Sequence, residues 1–507
     1  MWCRRCLLIL IYSFLWFFSF SQRIVYSEPD KDDTRRMNFE IAGKINGNFL
    51  IYKNTRVNKH IISVLDNDMK EVASAELDFL PTNDRMINVD FFPYPDYCYT
   101  IFQYQKKNVV YCMAAKIDGM GKKIGEVAEL DTTHIGFAAN NRIYTVITSE
   151  DKNRIMVFKI NSRNKQLYIL STVLLNDRLE TLKKSRLSIK MEDRNEYLSD
   201  FSLDNDGDMA FSRFFRNSND NISNATLMIK SAGADSLIMQ TLNIEKTWLD
   251  EIHIKPDNNN KRYLFTSFYV KERRGNIDGY YYYVWDKLSA KPVLEGTSAF
   301  SEEIRREARG DAGIKTAFND HFIRNVIIRK DGGFIIGSEC YFTTSRFNNW
   351  NRWDYLYRSS YLNSYDYYYS PYYNNFWWSG NRFSNQAVRH HADNIVVLSF
   401  DSKGQQEWNN VMGKSQYDDE SDNLLSYQMM NTGGQLHFLF NLQERRSNLL
   451  TDFSIAPDGQ LTRNPTLKNL DKGYDFMPKY AKQVGVRQMI VPCQYRNYIC
   501  FAKIEYN

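Results

Sequence analysis

The feature that most constrains this chain is a unit that recurs along it: an apolar run, an Asp/Asn/Gly turn, and a second run of strand length. It appears as "HIISVLDNDMKEVASAEL" at 60–77, and again at 109–130, 154–174, 225–244, 280–297, 394–411 and 449–465. An eighth copy, "YICFAKIEYN" at 498–507, stops where its turn would begin. A second hairpin precedes each copy. It is clearest at 200–214, 325–339 and 425–440, and weaker where it centres on Gly47, Tyr94, Asn140, Asn258 and Val486. Tight hairpins need residues that accept positive φ at their centre, which is why Asn, Asp and Gly mark the turns. Two hairpins per repeat make a four-stranded unit, and a spacing of roughly 45 to 55 residues is the signature of a β-propeller. The expected fold is therefore all-β, an eight-bladed propeller whose last blade takes its missing outer strand from "QRIVYSE" at 22–28. A seven-bladed ring is the alternative, because the first unit is the least regular. A two-domain β-sandwich explains the even spacing poorly.

Propeller topology sorts the connections between two faces. With strands A to D running outwards from the axis, A–B and C–D turns share one face, and B–C loops and D–A connections share the other. The long segments are 176–195, 215–224, 271–279, 297–319, 343–393, 412–422 and 465–475, and all of them fall on the second face. Function commonly sits on loops held by a rigid frame. The largest insertion, 343–393, interrupts the sixth blade and holds "SYLNSYDYYYSPYYNNFWWSGN" at 360–381. Tyr and Trp offer rigid contact area at low rotamer cost, with amides and hydroxyls around them. The candidate binding residues are Trp350, Trp353, Tyr367, Tyr369, Tyr373, Trp377, Trp378 and His390, facing a protein or a glycan. The competing reading is that the insertion folds over the disc and buries its own rings.

The first 21 residues have a basic start (Arg4, Arg5), an apolar run from Cys6 to Phe18, and Ser19-Phe20-Ser21 before Gln22. That is the anatomy of a secretory signal peptide, too short for a comfortable membrane span; an uncleaved anchor is the rival. The expectation is an exported chain, in the periplasm, at the outer membrane or outside the cell, with 22–507 forming a single propeller domain and no integral span. Loss of Arg4 and Arg5 lowers the formal charge from +5 to +3, which argues against a general nucleic-acid or anionic-membrane binder. No cofactor or metal is implied, and oligomeric state is open.

Five cysteines remain, none at metal-ligand spacing. Cys493 and Cys500 flank a hairpin centred on Arg496-Asn497, and Cys98 and Cys112 flank Gln105 in the same way, so each pair is a possible disulfide in an oxidising compartment. Free buried thiols are the other reading. "SFDSKGQQEW" at 399–408 is near to, but off-register from, the Asp-box of sialidases and the Trp-bearing turn of quinone-dependent dehydrogenases, and reads as a structural C–D turn. His390 and His391 are neighbours on an extended chain and point apart, which is poor metal geometry. "YDDESDN" at 417–423 lacks calcium-loop spacing. "SEEIRREARGDAGIK" at 301–315 reads as a short helix with Ser301 as N-cap. No nucleophile-elbow, Walker, Rossmann or HExxH motif is present. The functional expectation is a non-catalytic binding or scaffold propeller. The alternative is a polysaccharide hydrolase or lyase with carboxylates and an Arg or His over the channel.

The Ser-x-Ser cut before Gln22, the Asn/Tyr-rich blades and turns such as "SFDSKGQQEW" and "SIAPDGQL" resemble the uncharacterised exported β-propeller proteins of Bacteroidota. The resemblance covers most of the chain on blade-generic motifs. It implies a periplasmic, outer-membrane-associated or secreted protein, and carries no catalytic residues with it.

Overall fold

A computed structural model describes residues 23–30, 38–54, 59–136, 138–139, 142–164, 166–193, 195–217, 220–309, 317–345, 350–357, 388–419, 421–444, 447–465, 473–496 and 498–506. Seven four-stranded antiparallel sheets and an eighth, whose innermost position is shared by two short strands, stand in a ring as an eight-bladed propeller. Blades 1 to 7 span 38–76, 85–134, 145–190, 196–241, 248–299, 321–418 and 427–463. Blade 8 is built from both ends of the chain: Tyr474–Phe476 and Lys482–Gly485 on the inside, then Gln488–Tyr495, Tyr498–Glu505, and Arg23–Tyr26 outermost. The N-terminal strand pairs antiparallel with the last strand, Arg23 opposite Glu505 and Tyr26 opposite Ala502. The eight-bladed expectation and its closing strand hold, and the seven-bladed alternative falls because the first unit is a complete blade.

Strand alternation sends successive side chains to opposite faces of each blade, and each face packs on the next blade. Among the described residues the apolar side chains consequently gather into one cluster per blade interface, with a ninth on the face of blade 6. At the seam between blades 8 and 1, Ile41, Phe49, Ile51 and Leu65 meet Ile490, Ile499 and Phe501. Each fully buried side chain of this size contributes about 1.5–3 kcal/mol.

Two local devices recur. At Asp66, Asp118, Asn176, Asp204 and Asp401 the side-chain Oδ1 accepts from the N–H groups two and four residues on. The residue three along takes positive φ: Met69, Gly121, Leu179, Gly207 and Gly404. That closure explains why Asp and Asn punctuate the repeat. Near the axis, six innermost strands carry a register shift, as between Ile41 and Gly43 or Leu249 and Ile252, which bends them where the ring is narrowest. Gly43 sits at φ +153°, and a Cβ there would meet Pro93 at 2.6 Å, so only glycine lets the first two blades approach.

Several sequence readings need correction. The unit at 154–174 is the B–C hairpin of blade 3, with strands Arg154–Asn164 and Leu167–Asn176, and the A–B turn lies at 149–153 rather than near Asn140. Most of 176–195 is strand, Thr181–Lys190, hidden from pattern reading by Lys183, Lys184 and Arg186 on an outermost strand. Likewise 412–418 belongs to the strand Gln406–Asp418. Cys98 and Cys112 cannot bridge. Cys98 opposes Ile117 and Cys112 opposes Gln103, because the hairpin turns at Lys107-Asn108 and not at Gln105. Their side chains lie in different interfaces, blades 1/2 and blades 2/3. Trp408, on "SFDSKGQQEW", packs on the Gly459 turn of blade 7 and donates from Nε1 to Pro457 O at 3.2 Å, a blade-to-blade contact.

Candidate functional site on the long-loop face

The asymmetry between faces is real: A–B and C–D turns are short in every blade, and the long connections share the opposite face. Blade 6 stands tallest there. Its B and C strands, Phe334–Ser345 and Val388–Phe400, have 12 and 13 residues, against 9 and 8 in blade 5. At ~3.3 Å per residue the extra length lifts the hairpin by about 10 Å. Ser345 pairs with Val388, so the insertion leaves and rejoins the sheet side by side.

Within 343–393 the two ends, 343–345 and 388–393, are strand, and the described residues between them are the root, 350–357, with a short helix at Arg352–Tyr357. Its rings pack on blade 6. Trp350 and Tyr355 lie 5.6 Å apart, Tyr341 is 4.9 Å from Tyr355, and Phe322 is 4.6 Å from Tyr355. Trp350 donates from Nε1 to Asp320 at 2.7 Å. Trp353 reaches towards blade 4, where the buried Arg216 guanidinium lies 5.5 Å from its ring and 5.7 Å from Tyr197. Tyr341 Oη and His390 Nδ1 are 2.9 Å apart. His391, on the opposite face of the strand, stacks on Phe342 at 4.4 Å. Trp350 and His390 therefore meet at Tyr341, with Trp353 in the same apolar cluster. Tyr367, Tyr369, Tyr373, Trp377 and Trp378 lie outside the described residues. The root realises part of the self-packing alternative.

Beneath the root lies a layer of charge. Arg352 donates from Nε to Asp250 Oδ2 at 2.8 Å, lies 3.4 Å from Glu251, and reaches the carbonyls of Asn319 and His321. Glu251 also accepts from Ile323 N–H at 2.6 Å and stands 3.6 Å from His253. Deeper, the buried Glu339 faces Arg324 at 3.3 Å and Lys414 at 2.9 Å and accepts from the Ser426 hydroxyl. Arg324 in turn donates to Tyr355 Oη at 3.1 Å. Lys479 pairs with Asp422, and Arg389 with Asp419 at 2.7 Å, so two acids of the run at 417–423 face neighbouring cations.

Burial raises the Asp250 pKa above the usual carboxylate range, although Arg352 opposes it. Burial also lowers Lys414, against the pull of Glu339. His253 feels burial against its charge, but the neighbouring carboxylates of Glu251 and Asp200 hold its pKa above the ordinary value. His321, buried and facing Arg352 and Lys414, falls to about 3. A buried ion pair adds little net stability, yet removing one partner is costly, so these contacts fix where the root sits.

A second set lines the inner strands on the other side of the ring. Asp90 meets Arg142 at 3.2 Å and accepts from Asn88 at 2.8 Å, while Lys482 donates to the carbonyls of Ile41 and Ala42 at 2.9 and 3.2 Å. Burial pushes Glu40 up to about 7, eased by Lys482 and reinforced by Asp90. Sequence reading missed both sets. The available signal was charge inside strands that should be apolar: Asp250-Glu251 in "WLDEIHI" and Glu339 in "GSECYF".

No family model matches the chain, and no curated protein matches it. Among solved structures it is similar to the WD40 domain of SCAP from fission yeast, at 8% identity and TM-score 0.39, over 96% of this chain and 98% of that one. It is similar to prolyl oligopeptidase B from Galerina marginata at 8% identity and TM-score 0.39, over 92% of this chain but 56% of that enzyme, so the chain spans about half its length. A Synechocystis apocarotenoid oxygenase matches at 8% identity and TM-score 0.33, over 96% and 94% of the two chains. The class defined by the fold is an eight-bladed β-propeller with one elaborated face. Among the described residues no helix is long and apolar enough to cross a membrane.

Proposed function

We propose that this protein is an exported binding or scaffold propeller that engages a protein or glycan partner through its long-loop face. It would act in the periplasm, at the outer membrane or outside the cell. The observation that carries the reading is the mounting of the aromatic insertion: a raised hairpin in blade 6 whose root is anchored by Arg352 to Asp250. Positioned aromatic rings among amides are the palette of recognition surfaces. The carboxylates under the root also favour binding over hydrolysis, since Asp250, Glu251, Glu339 and Asp422 each face a cation that neutralises them.

The test replaces 358–387 with a Gly/Ser linker from Tyr357 to Val388, and checks that thermal unfolding is unchanged. Envelope extracts and soluble polysaccharides are then compared by pull-down and affinity gel. Partner retention is expected to disappear with the insertion, and Trp377→Ala with Trp378→Ala to weaken any glycan retardation. Unchanged retention would sink the reading. The hydrolase alternative has a separate readout: release of reducing ends that Glu40→Gln abolishes while retardation persists.

A further inference from the structure

In the last blade Cys493 and Cys500 stand directly opposite one another across the hairpin. Their sulfurs are 2.9 Å apart, and neither residue exposes any surface. That separation lies inside the ordinary contact of two non-bonded sulfurs, and among the described residues no other cysteine pair shares a register. Cys98 and Cys112 sit in different interfaces, and Cys340 opposes His321. The thiol pair faces blade 7, among Met430, Leu439 and Leu450, with Tyr26 and Tyr474 stacked 4.4 Å apart beside it.

The N-terminal segment runs along the outer edge of the same strand. Tyr26 opposes Ala502, Ser27 N–H donates to Phe501 O at 2.8 Å, and Asp30 N–H donates to Ile499 O at 2.8 Å. Residues 23–30 therefore lie alongside Cys500 as the ring closes.

We propose that Cys493 and Cys500 are joined as a disulfide in the exported protein, formed before the N-terminal strand docks and sealed beneath it. The oxidant class is the disulfide of a thiol–disulfide oxidoreductase. One cysteine thiolate attacks that disulfide and forms a mixed disulfide; the second thiolate displaces it. One S–S bond is made and one broken, the two cysteines lose two protons and two electrons, and the oxidoreductase leaves as a dithiol. The thiolate is the reactive form. Burial in the closed ring pushes the Cys493 thiol well up and denies access, so the exchange belongs to the open state.

The inference rests on the export reading, and the two are separated in one preparation. Cells are acid-quenched, thiols alkylated, and the purified chain denatured and cut with trypsin. Cleavage after Arg487, Arg496 and Lys503 gives peptides 488–496 and 497–503, each with one of the two cysteines. The expected product is the cross-linked pair, two hydrogens lighter than the free peptides together and lost on reduction. Both peptides alkylated throughout would overturn the disulfide. A chain recovered in the cytosolic fraction, still starting at Met1 and carrying a cross-linked pair, would overturn export and leave the disulfide standing. For the seal, dithiothreitol should reduce the bond in the folded protein slowly, and about tenfold faster in Tyr26→Ala, because local opening governs access. Equal rates in the two proteins would overturn the sealing role of the N-terminal strand.

Discussion

Blade 6 and blade 8 each solve an attachment problem, and they solve it with different physics. Blade 6 must hold the base of a long excursion, and does so with charge: Arg352 on Asp250, Arg324 and Lys414 on Glu339. Blade 8 must join the two ends of the chain, and does so with a backbone ladder and apolar side chains such as Phe501 and Ile490. Charged contacts are directional and costly to leave half-made, so they choose a position. Apolar contacts are indifferent to direction and supply net stability. The ring is therefore held shut by its seam, and the loop face is held in register by its ion pairs.

The largest test of that contrast pairs one truncation from each region. Asp250→Ala and Phe501→Ala should each cost about 3–5 kcal/mol in denaturant unfolding, one by stranding a buried cation and the other by opening a cavity. They should differ in kind. Limited trypsin digestion of Asp250→Ala should cut after Arg352 well before the ring unfolds, whereas Phe501→Ala should shift global unfolding with no early cut there. The same early cut in both would break the contrast. Next in size, Glu339→Leu should be strongly destabilising, and adding Lys414→Met should recover most of the loss, roughly 2–3 kcal/mol. If the double variant is no better than the single one, the pair stabilises more than it positions.

A titration separates the regions by pH. The folded pKa of His321 lies near 3, below the ordinary 6.5, so the unfolded chain binds the extra proton between these values. Its contribution is complete above pH 6.5 and is lost as pH falls towards 3, at about 1.4 kcal/mol per pH unit. His321→Phe should flatten that part of the stability curve, and a curve parallel to the unmodified protein's would refute the assignment. The smallest effect is expected at Ser301, whose side chain accepts from Ile304 N–H at the start of the helix Glu302–Ala308. Ser301→Ala should cost about 1 kcal/mol in thermal unfolding, without touching the seam.

Much of the ring was legible because its signals are local. Asp401 and Gly404 announce a turn to any reader, since the side-chain bonds and the positive φ both lie within five residues. Blade 3 was misphased for the same reason. Its C–D turn uses Leu179 at φ +62° where glycine would have marked it, and its outermost strand is too charged to look buried. The candidate site was half legible. Trp350, Trp353 and His390 stood out by composition, but the Asp250-Glu251 pair and Glu339 lie on strands of different blades and gather beneath the root only through the curvature of the ring.

By itself the sequence determined the repeat, the four-stranded unit, the loan of an N-terminal strand to the last blade, and the face on which the long loops gather. Those follow from turn chemistry and strand alternation, which act over a few residues. The tertiary structure decided which cysteines face each other, which acids meet which cations, and how the insertion root is anchored. Each of these depends on register and on the packing of one blade against the next, and a one-residue shift of register sends a side chain to the other interface. Cys98 and Cys112 show the cost of a wrong register, since Cys98 opposes Ile117, and Cys493 and Cys500 show a register that puts two sulfurs in contact.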